Sequence, residues 1–255
     1  MAFKEHAIQL IDASTGLALN HSGSVRVTVA GSPTRVPTYG FTTETLDSST
    51  ITFSNGLIKF KTLDSVNSVD IYGITEKGYP IVLKGAKPGG ITSYRVDVNN
   101  RYQVLVIPFD IADSDIADAV EFDTGFDLAT GQAVQPLGVG VRVTTIDATE
   151  DIEVGILSSE SGGDTDGFIN NASLATATFV PATVTVTTGV IQSNPTRGAL
   201  LADHADGTNA DDRGIHQVKQ FVCNGTAKSI ALLLSTGTDT GAGYVIIPTI
   251  IPNLL

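Results

Sequence analysis

Apolar and polar residues alternate along most of this chain with a period of two, the spacing that turns successive side chains of a β-strand to opposite faces. "SVRVTVAG" (24–31) sets Val25, Val27 and Val29 on one face and Arg26 and Thr28 on the other. "TITFSNGLIKF" (50–60) holds two β-rich runs joined by Asn55-Gly56, the pair that most readily adopts a type I′ turn, and so predicts a hairpin. "SVDIYGI" (68–74) and "YPIVLKG" (79–85) continue the series, with Gly78 and Pro80 as punctuation. "KGAKPGGI" (84–91), where Gly and Pro recur without an apolar period, reads as a linker closing a small antiparallel module.

Beyond it the pattern resumes on a larger scale. "YQVLVIPF" (102–109) reads as a strand buried on both faces, "GVGVRVTTI" (138–146) alternates, and "DIEVGIL" (151–157) turns Ile152, Val154 and Ile156 inward. "TATFVPATVTVTTGV" (176–190) predicts two strands broken at Pro181. "IHQVKQFVCNG" (215–225), "KSIALLLSTG" (228–237) and "GYVIIPTIIP" (243–252) complete the set, with Asn224-Gly225 marking another tight turn. One stretch departs: "IADSDIADAVEFDTGFDLATG" (111–131) fits either a short helix over about 114–121, capped by Asp113 or Ser114, or an acidic loop between strands. The expected fold is all-β. A small N-terminal antiparallel β-module over residues 1–88 precedes a β-sandwich over 89–255, with a jelly roll as one form of it.

Composition sharpens this picture. Hydrophobic residues make up 42% of the 255, enough for a sizeable core, while only 16% are charged, which suits a subunit with much surface against neighbours. The net charge of -12 is uneven: residues 1–100 sum to +1 and residues 101–255 to -13. Phosphate contacts need a positive footprint, so the second half is not expected to bind nucleic acid. No apolar run is long enough for a membrane helix, and "MAFKEHAIQL" shows no apolar stretch before a cleavage site, so neither a span nor a secretory leader is expected. The single cysteine, Cys223, sits in a strand-like run and is read as a small buried apolar residue.

The chemistry on offer is acidic. "ILSSESGGDTDGFI" (156–169) places Glu160, Asp164 and Asp166 among glycines, and "LLADHADGTNADDRG" (200–214) places Asp203, Asp206 and Asp211 close together. Calcium takes six to eight oxygen ligands from carboxylates and carbonyls on a flexible loop, so these six residues are the candidate cation ligands. The first run lacks the EF-hand spacing, and a solvated inter-strand turn is the competing reading of both. The four histidines (6, 21, 204 and 216) show no ligand spacing and are read as satisfied surface side chains. No nucleophile elbow or phosphate-binding glycine loop occurs. Aromatic residues are only 6% and tryptophan is absent, which argues against the stacking platforms of sugar-processing sites. The chain is therefore expected to be neither an enzyme nor a cofactor protein, calcium being the one ion it could take.

Two sets of segments carry a resemblance. "GSVRVTVAGSPTRVPTYG", "TLDSSTITFSNGLIKFKTLDSVNSVDIYGI" and "GYPIVLKG" resemble small β-domains near the start of tailed-bacteriophage virion proteins. "IEVGILSSESGGDTDGFINNASLAT", "RGALLADHAD" and "GYVIIPTIIP" are similar to phage head-surface proteins with acidic, glycine-rich loops. The resemblance implies a virion structural protein of the capsid decoration, stabilisation or head-fibre type, commonly a trimer. It would adhere to the major capsid protein or another virion protein, resting in the host cytoplasm before assembly and on the capsid surface after it. The alternative is a receptor- or carbohydrate-binding fibre or tail-associated protein.

Overall fold

In the computed structural model the described residues are 2–47, 50–112, 116, 119–183, 186–187, 190–191, 197–201, 219–235 and 240–251. Among them every regular element is a strand. The first group comprises β1 (Phe3–Asp12), β2 (Gly23–Val29), β3 (Ile51–Phe53), β4 (Leu57–Leu63), β5 (Val69–Thr75), β6 (Pro80–Ala86) and β7 (Ile91–Val96). They form two sheets, β4-β1-β7 and β3-β2-β5-β6, packed face to face. His6, Ile8 and Leu10 of β1 and Ile58 and Phe60 of β4 point inward, meeting Val25, Val27, Val69 and Ile71 from the other sheet. Each such large apolar side chain contributes about 1.5–3 kcal/mol by leaving water.

Two local expectations change here. Asn55 and Gly56 both have positive φ, 55° and 64°, and Leu57 N–H donates to Ser54 C=O at 3.1 Å, so the turn itself forms. Its flanking strands nonetheless part: β3 pairs with β2 and β4 pairs with β1, and the turn carries the chain from one sheet to the other. Gly56 is drawn into the edge of β1, donating to His21 C=O at 2.6 Å and accepting from Leu10 N–H at 2.8 Å. A Cβ there would meet the Leu19 carbonyl oxygen at 2.0 Å. The second change concerns 84–91. Those residues finish β6 and turn into β7, which pairs in parallel with β1 from Ala7↔Ile91 to Asp12↔Val96. The first pair of sheets therefore runs past residue 88, and the chain crosses to the second group between Val96 and Tyr102.

The second group comprises β8 (Tyr102–Asp110), β9 (Phe122–Leu128), β10 (Ala133–Val134), β11 (Gly140–Thr145), β12 (Asp151–Ile156), β13 (Asp164–Ser173), β14 (Phe179–Pro181), β15 (Val186–Thr187), β16 (Val190–Ile191), β17 (Phe221–Val222), β18 (Lys228–Leu234) and β19 (Ala242–Ile250). In one sheet β19 is central, with β8 along one edge and β11 and β10 sharing the other; β14 and β17 extend these. The facing sheet has the order β13-β12-β18-β9, and β15 and β16 form a separate two-stranded ribbon. Ile152, Val154 and Ile156 all face the core, where they meet Ile230, Leu232, Val245, Ile247, Leu105 and Phe126. β8 departs from the expectation of two buried faces. Its first residues run along the sheet edge, leaving Tyr102 72% and Val104 47% exposed. The stretch 111–131 gives strand from Phe122 onward, with Asp123 and Asp127 facing out; residues 114, 115, 117 and 118 of the expected helix lie outside the described residues.

The two sandwiches share a wall. Every residue of β5 is buried: Val69 and Ile71 face the first core, and Tyr72 and Ile74 face the second. The same holds for β2, whose Val25 and Val27 belong to the first core while Arg26 and Thr28 are buried on the opposite side. The Arg26 guanidinium lies over the Phe122 ring at 5.0 Å, and Tyr72 packs on Tyr244 at 5.5 Å. Thr50 Oγ1 donates to Thr124 C=O at 3.2 Å, and Ser24 Oγ donates to Gly125 C=O. Gln132, fully buried, donates to Gly78 C=O at 3.2 Å and to Thr249 Oγ1 at 3.0 Å, and accepts from Ala129 N–H at 2.9 Å. All three bonds satisfy a polar group that would otherwise be orphaned between the cores.

Candidate functional site: an acidic sheet face and a cationic groove

The expected ligands divide in the folded chain. Asp203, Asp206 and Asp211 lie outside the described residues, as do His204 and His216. Glu160 closes the turn after β12, its N–H bonded to Leu157 C=O and its C=O accepting from Gly163 N–H. Its carboxylate is committed to β18: Oε1 accepts from Ser229 N–H at 3.1 Å, and Oε2 lies 3.9 Å from Lys228 Nζ. The same lysine donates to Ser161 C=O at 2.9 Å. Glu160 thus pins the turn.

Asp164 and Asp166 do come together. The register of β12 on β13 slips between Val154↔Ile169 and Ile156↔Asp164, so β13 carries three extra residues in a large bulge. Glycine lets the backbones close around it: a Cβ on Gly198 would lie 1.9 Å from the Asp166 carbonyl oxygen, and one on Gly155 1.9 Å from that of Asp164. Within the bulge the Asp164 carboxyl is pushed up to about 7 by burial, by a hydrogen bond to the Asp166 carboxylate and by the charges of Asp166 and Glu153. Burial and the charges of Asp166 and Asp151 raise Glu153 as well. The group therefore holds a shared proton readily and attracts cations. Glu160, turned to β18, does not join Asp164 and Asp166. Among the described residues no three His, Cys, Asp or Glu side chains form a metal-ligand group.

Glu153 and Glu121 were missed by the sequence reading. Glu153 is the outward member of the alternation Ile152, Val154, Ile156, and an outward acid beside a hairpin with two more was the available signal. Glu121 clamps the hairpin tip, accepting from Ser158 N–H and Ser158 Oγ, both at 2.6 Å, and from Thr165 Oγ1 at 3.1 Å. Burial alone would raise its carboxyl, but these hydrogen bonds hold it below its ordinary value. Nothing in the local sequence marks it, because its partners lie 37 and 44 residues away.

The acids belong to a broader face. Looking outward from the sheet β13-β12-β18-β9 are Asp151 and Glu153 of β12, Asp123 and Asp127 of β9, and between them Ala231 and Leu233 of β18. Ala231 is fully buried at its position, so the half-buried Leu233 is the accessible apolar residue within an acidic rim.

The opposite kind of surface lies on the first sandwich. The outer face of β4-β1-β7 carries a groove of about 680 Å³ lined by Ala7, Phe41 and Ile91 together with Lys4, Lys59 and Glu5. Lys59 Nζ lies 5.4 Å from the Phe41 ring centroid and Lys61 Nζ 5.8 Å from it. Lys61 is neutralised by Glu44 at 2.8 Å and Glu5 at 3.6 Å, whereas Lys59 has no carboxylate partner among the described residues.

The two described histidines, His6 and His21, and the cysteine are structural. His6, read from sequence as a surface residue, is 1% exposed; it stacks on Phe60 at 4.7 Å, and its Nε2 is 3.1 Å from Thr62 Oγ1. Burial and the nearby Lys4 charge bring it down to about 4. His21 stacks on Tyr79 at 5.8 Å. Cys223 is buried, and burial pushes its thiol up, away from the reactive thiolate.

No family model matches the chain, and no curated protein matches it. Among solved structures it is similar to the full-length major pilin SpaD from Corynebacterium diphtheriae, at 10% identity and a TM-score of 0.22. That alignment covers 98% of this chain and 56% of the pilin, and a likeness at this level carries no argument.

Proposed function

We propose that the chain is a structural subunit of a tailed-phage particle, of the capsid decoration type, acting by adhesion to the shell and to its own copies. One observation supports this reading above the others. Where the first sandwich leaves it open, the outer face of the β8-containing sheet is apolar apart from the exposed Arg142 on β11. Val104 and Pro248 sit side by side there, Tyr102 lies at one end, and Leu137, 73% exposed, stands on the adjoining turn beside Gly138 and Pro248. Toward the far edge the Phe179 ring covers Gly140 next to Ile246. This surface continues the one on which Tyr72 of the first sandwich packs against Tyr244, so it already serves as a docking face within one molecule. The shell protein is its proposed occupant.

Adhesion stabilises a shell because buried contact area across subunit boundaries must be re-exposed before the lattice opens. The test uses particles of the encoding phage prepared with and without the protein, and compares binding and survival on heating. Bound protein and higher survival are expected. A Val104→Asp/Leu137→Asp variant should bind at least about tenfold more weakly, the equivalent of about 1.4 kcal/mol. Failure of the unaltered chain both to bind and to protect would overturn the reading.

A further inference from the structure

The two charged faces are complementary in layout as well as in sign. One has the half-buried Leu233 between Asp123 and Asp127 on one side and Asp151 and Glu153 on the other. The other has an apolar lining of Ala7, Phe41 and Ile91, the last 70% exposed, with Lys4 and Lys59 outnumbering the one acid, Glu5, that also lines it. Lys59 stands on β4, Arg95 points outward from β7 in line with Ile91, and Lys87 is exposed beside Pro88 of the groove wall. In a chain of net charge -12, such a cationic surface is a local exception.

These faces cannot meet within one molecule. The groove lies on the outer side of β4-β1-β7, and the sheet β3-β2-β5-β6 stands between it and the second sandwich. Any contact between them is therefore between copies. We propose that the groove on the first sandwich docks the acidic β12–β18–β9 face of a second copy, giving a head-to-tail contact. The inference deepens, and rests on, the reading of the chain as a subunit that adheres to its own copies.

Three features favour this occupant. Lys59 lacks a carboxylate of its own among the described residues, while Glu153, Asp164 and Asp166 are crowded by their own like charges, so a lysine arriving from a neighbour would relieve both. The rims are opposite in sign, which steers encounter and sets register. Finally, each copy carries one face of each kind, so the contact is heterologous: it propagates into a filament or, where the rotation closes, into a ring such as a trimer.

The experiment is a complementation test by sedimentation of the full chain. Wild type is expected to form species larger than a dimer at about 0.02 M salt and to dissociate near about 0.5 M, where the screening length falls to a few ångströms. Lys59→Glu/Arg95→Glu ruins the groove, and Asp151→Lys/Glu153→Lys ruins the acidic face. Each variant alone should remain monomeric, its association weakened at least about tenfold, and circular dichroism should show the wild-type fold. Mixed in equal amounts they should form a 1:1 heterodimer and stop there, since each retains one intact face. Wild type that is monomeric at low salt would overturn the proposal, as would single variants that assemble like wild type or a mixture that stays monomeric. Particle binding separates this from the broader reading: a monomeric chain that still protects shells removes the head-to-tail contact alone, and oligomers that ignore shells remove only the decoration role.

Discussion

Replacing Asp164 by Asn should make the protein more stable at pH 8 and leave it unchanged at pH 4. Asp164 binds its proton more tightly in the folded chain, where its carboxyl is pushed from 3.8 to about 7 by burial, the bond to Asp166 and the charges of Asp166 and Glu153. Between roughly pH 4 and 7 the folded state therefore holds more protons than the unfolded state, and stability falls as pH rises. Below that window the penalty is absent, and above it the penalty is complete. At about 1.4 kcal/mol per pH unit the ceiling is about 4 kcal/mol. Asp164 is partly open to water, so screening reduces this to about 1–2 kcal/mol. Asn keeps the shape, donates to the Asp166 carboxylate and adds no charge. For a chain of this size the gain is about 3–6 °C in Tm at pH 8. Thermal unfolding followed by circular dichroism at pH 4, 6 and 8 measures it. His6 titrates over an overlapping range with the opposite sign, but it is present in both proteins and cancels in the difference. A variant no more stable than wild type at pH 8, or one that gains equally at pH 4, would refute the reasoning.

Three further outcomes are expected. His6 is held near 4 by burial and by Lys4, below its ordinary 6.5; wild type should therefore lose up to about 3 kcal/mol from this group as pH falls from 6.5 to 4. His6→Phe should lack that component in urea titrations across the same range. Gln132→Leu leaves Ala129 N–H, Gly78 C=O and Thr249 Oγ1 without their partner between the sandwiches, costing about 2–4 kcal/mol in urea unfolding. Gly198→Ala places a methyl group 1.9 Å from the Asp166 carbonyl oxygen, against backbone that cannot swing aside; a loss of about 2–3 kcal/mol is expected, with amide exchange accelerating first in β13.

The sequence made some of this visible, and the gaps have physical causes. Ile152, Val154 and Ile156 announced β12 because one face of that strand meets a core and the other meets water. β2 shows the same alternation, but its Arg26 face is covered by the second sandwich, and strand periodicity carries no information about what another domain will cover. Asn55-Gly56 specified the turn through the φ values it needs, not which sheets its flanking strands would join. β1 and β7 went unread for different reasons: Lys4 and Glu5 interrupt the run before His6, Ile8 and Leu10, and "ITSYRV" follows a Gly-Pro stretch that looks like a break. At the acidic hairpin the residues were visible in advance, but their grouping was not. Glu160 and Asp164 are four residues apart, yet one turns to β18 and the other to Glu153 across a bulge whose register depends on distant glycines such as Gly198.

The double burial of β5 has a mechanical consequence. A strand whose two faces belong to two different cores leaves no joint between them, since bending one sandwich against the other would pull Tyr72 and Ile74 out of their packing. The chain should carry load as a single stiff strut. In an assembly of such struts, compliance lies in the contacts between copies, so a swelling or shrinking particle would shift those contacts and leave each subunit's shape intact.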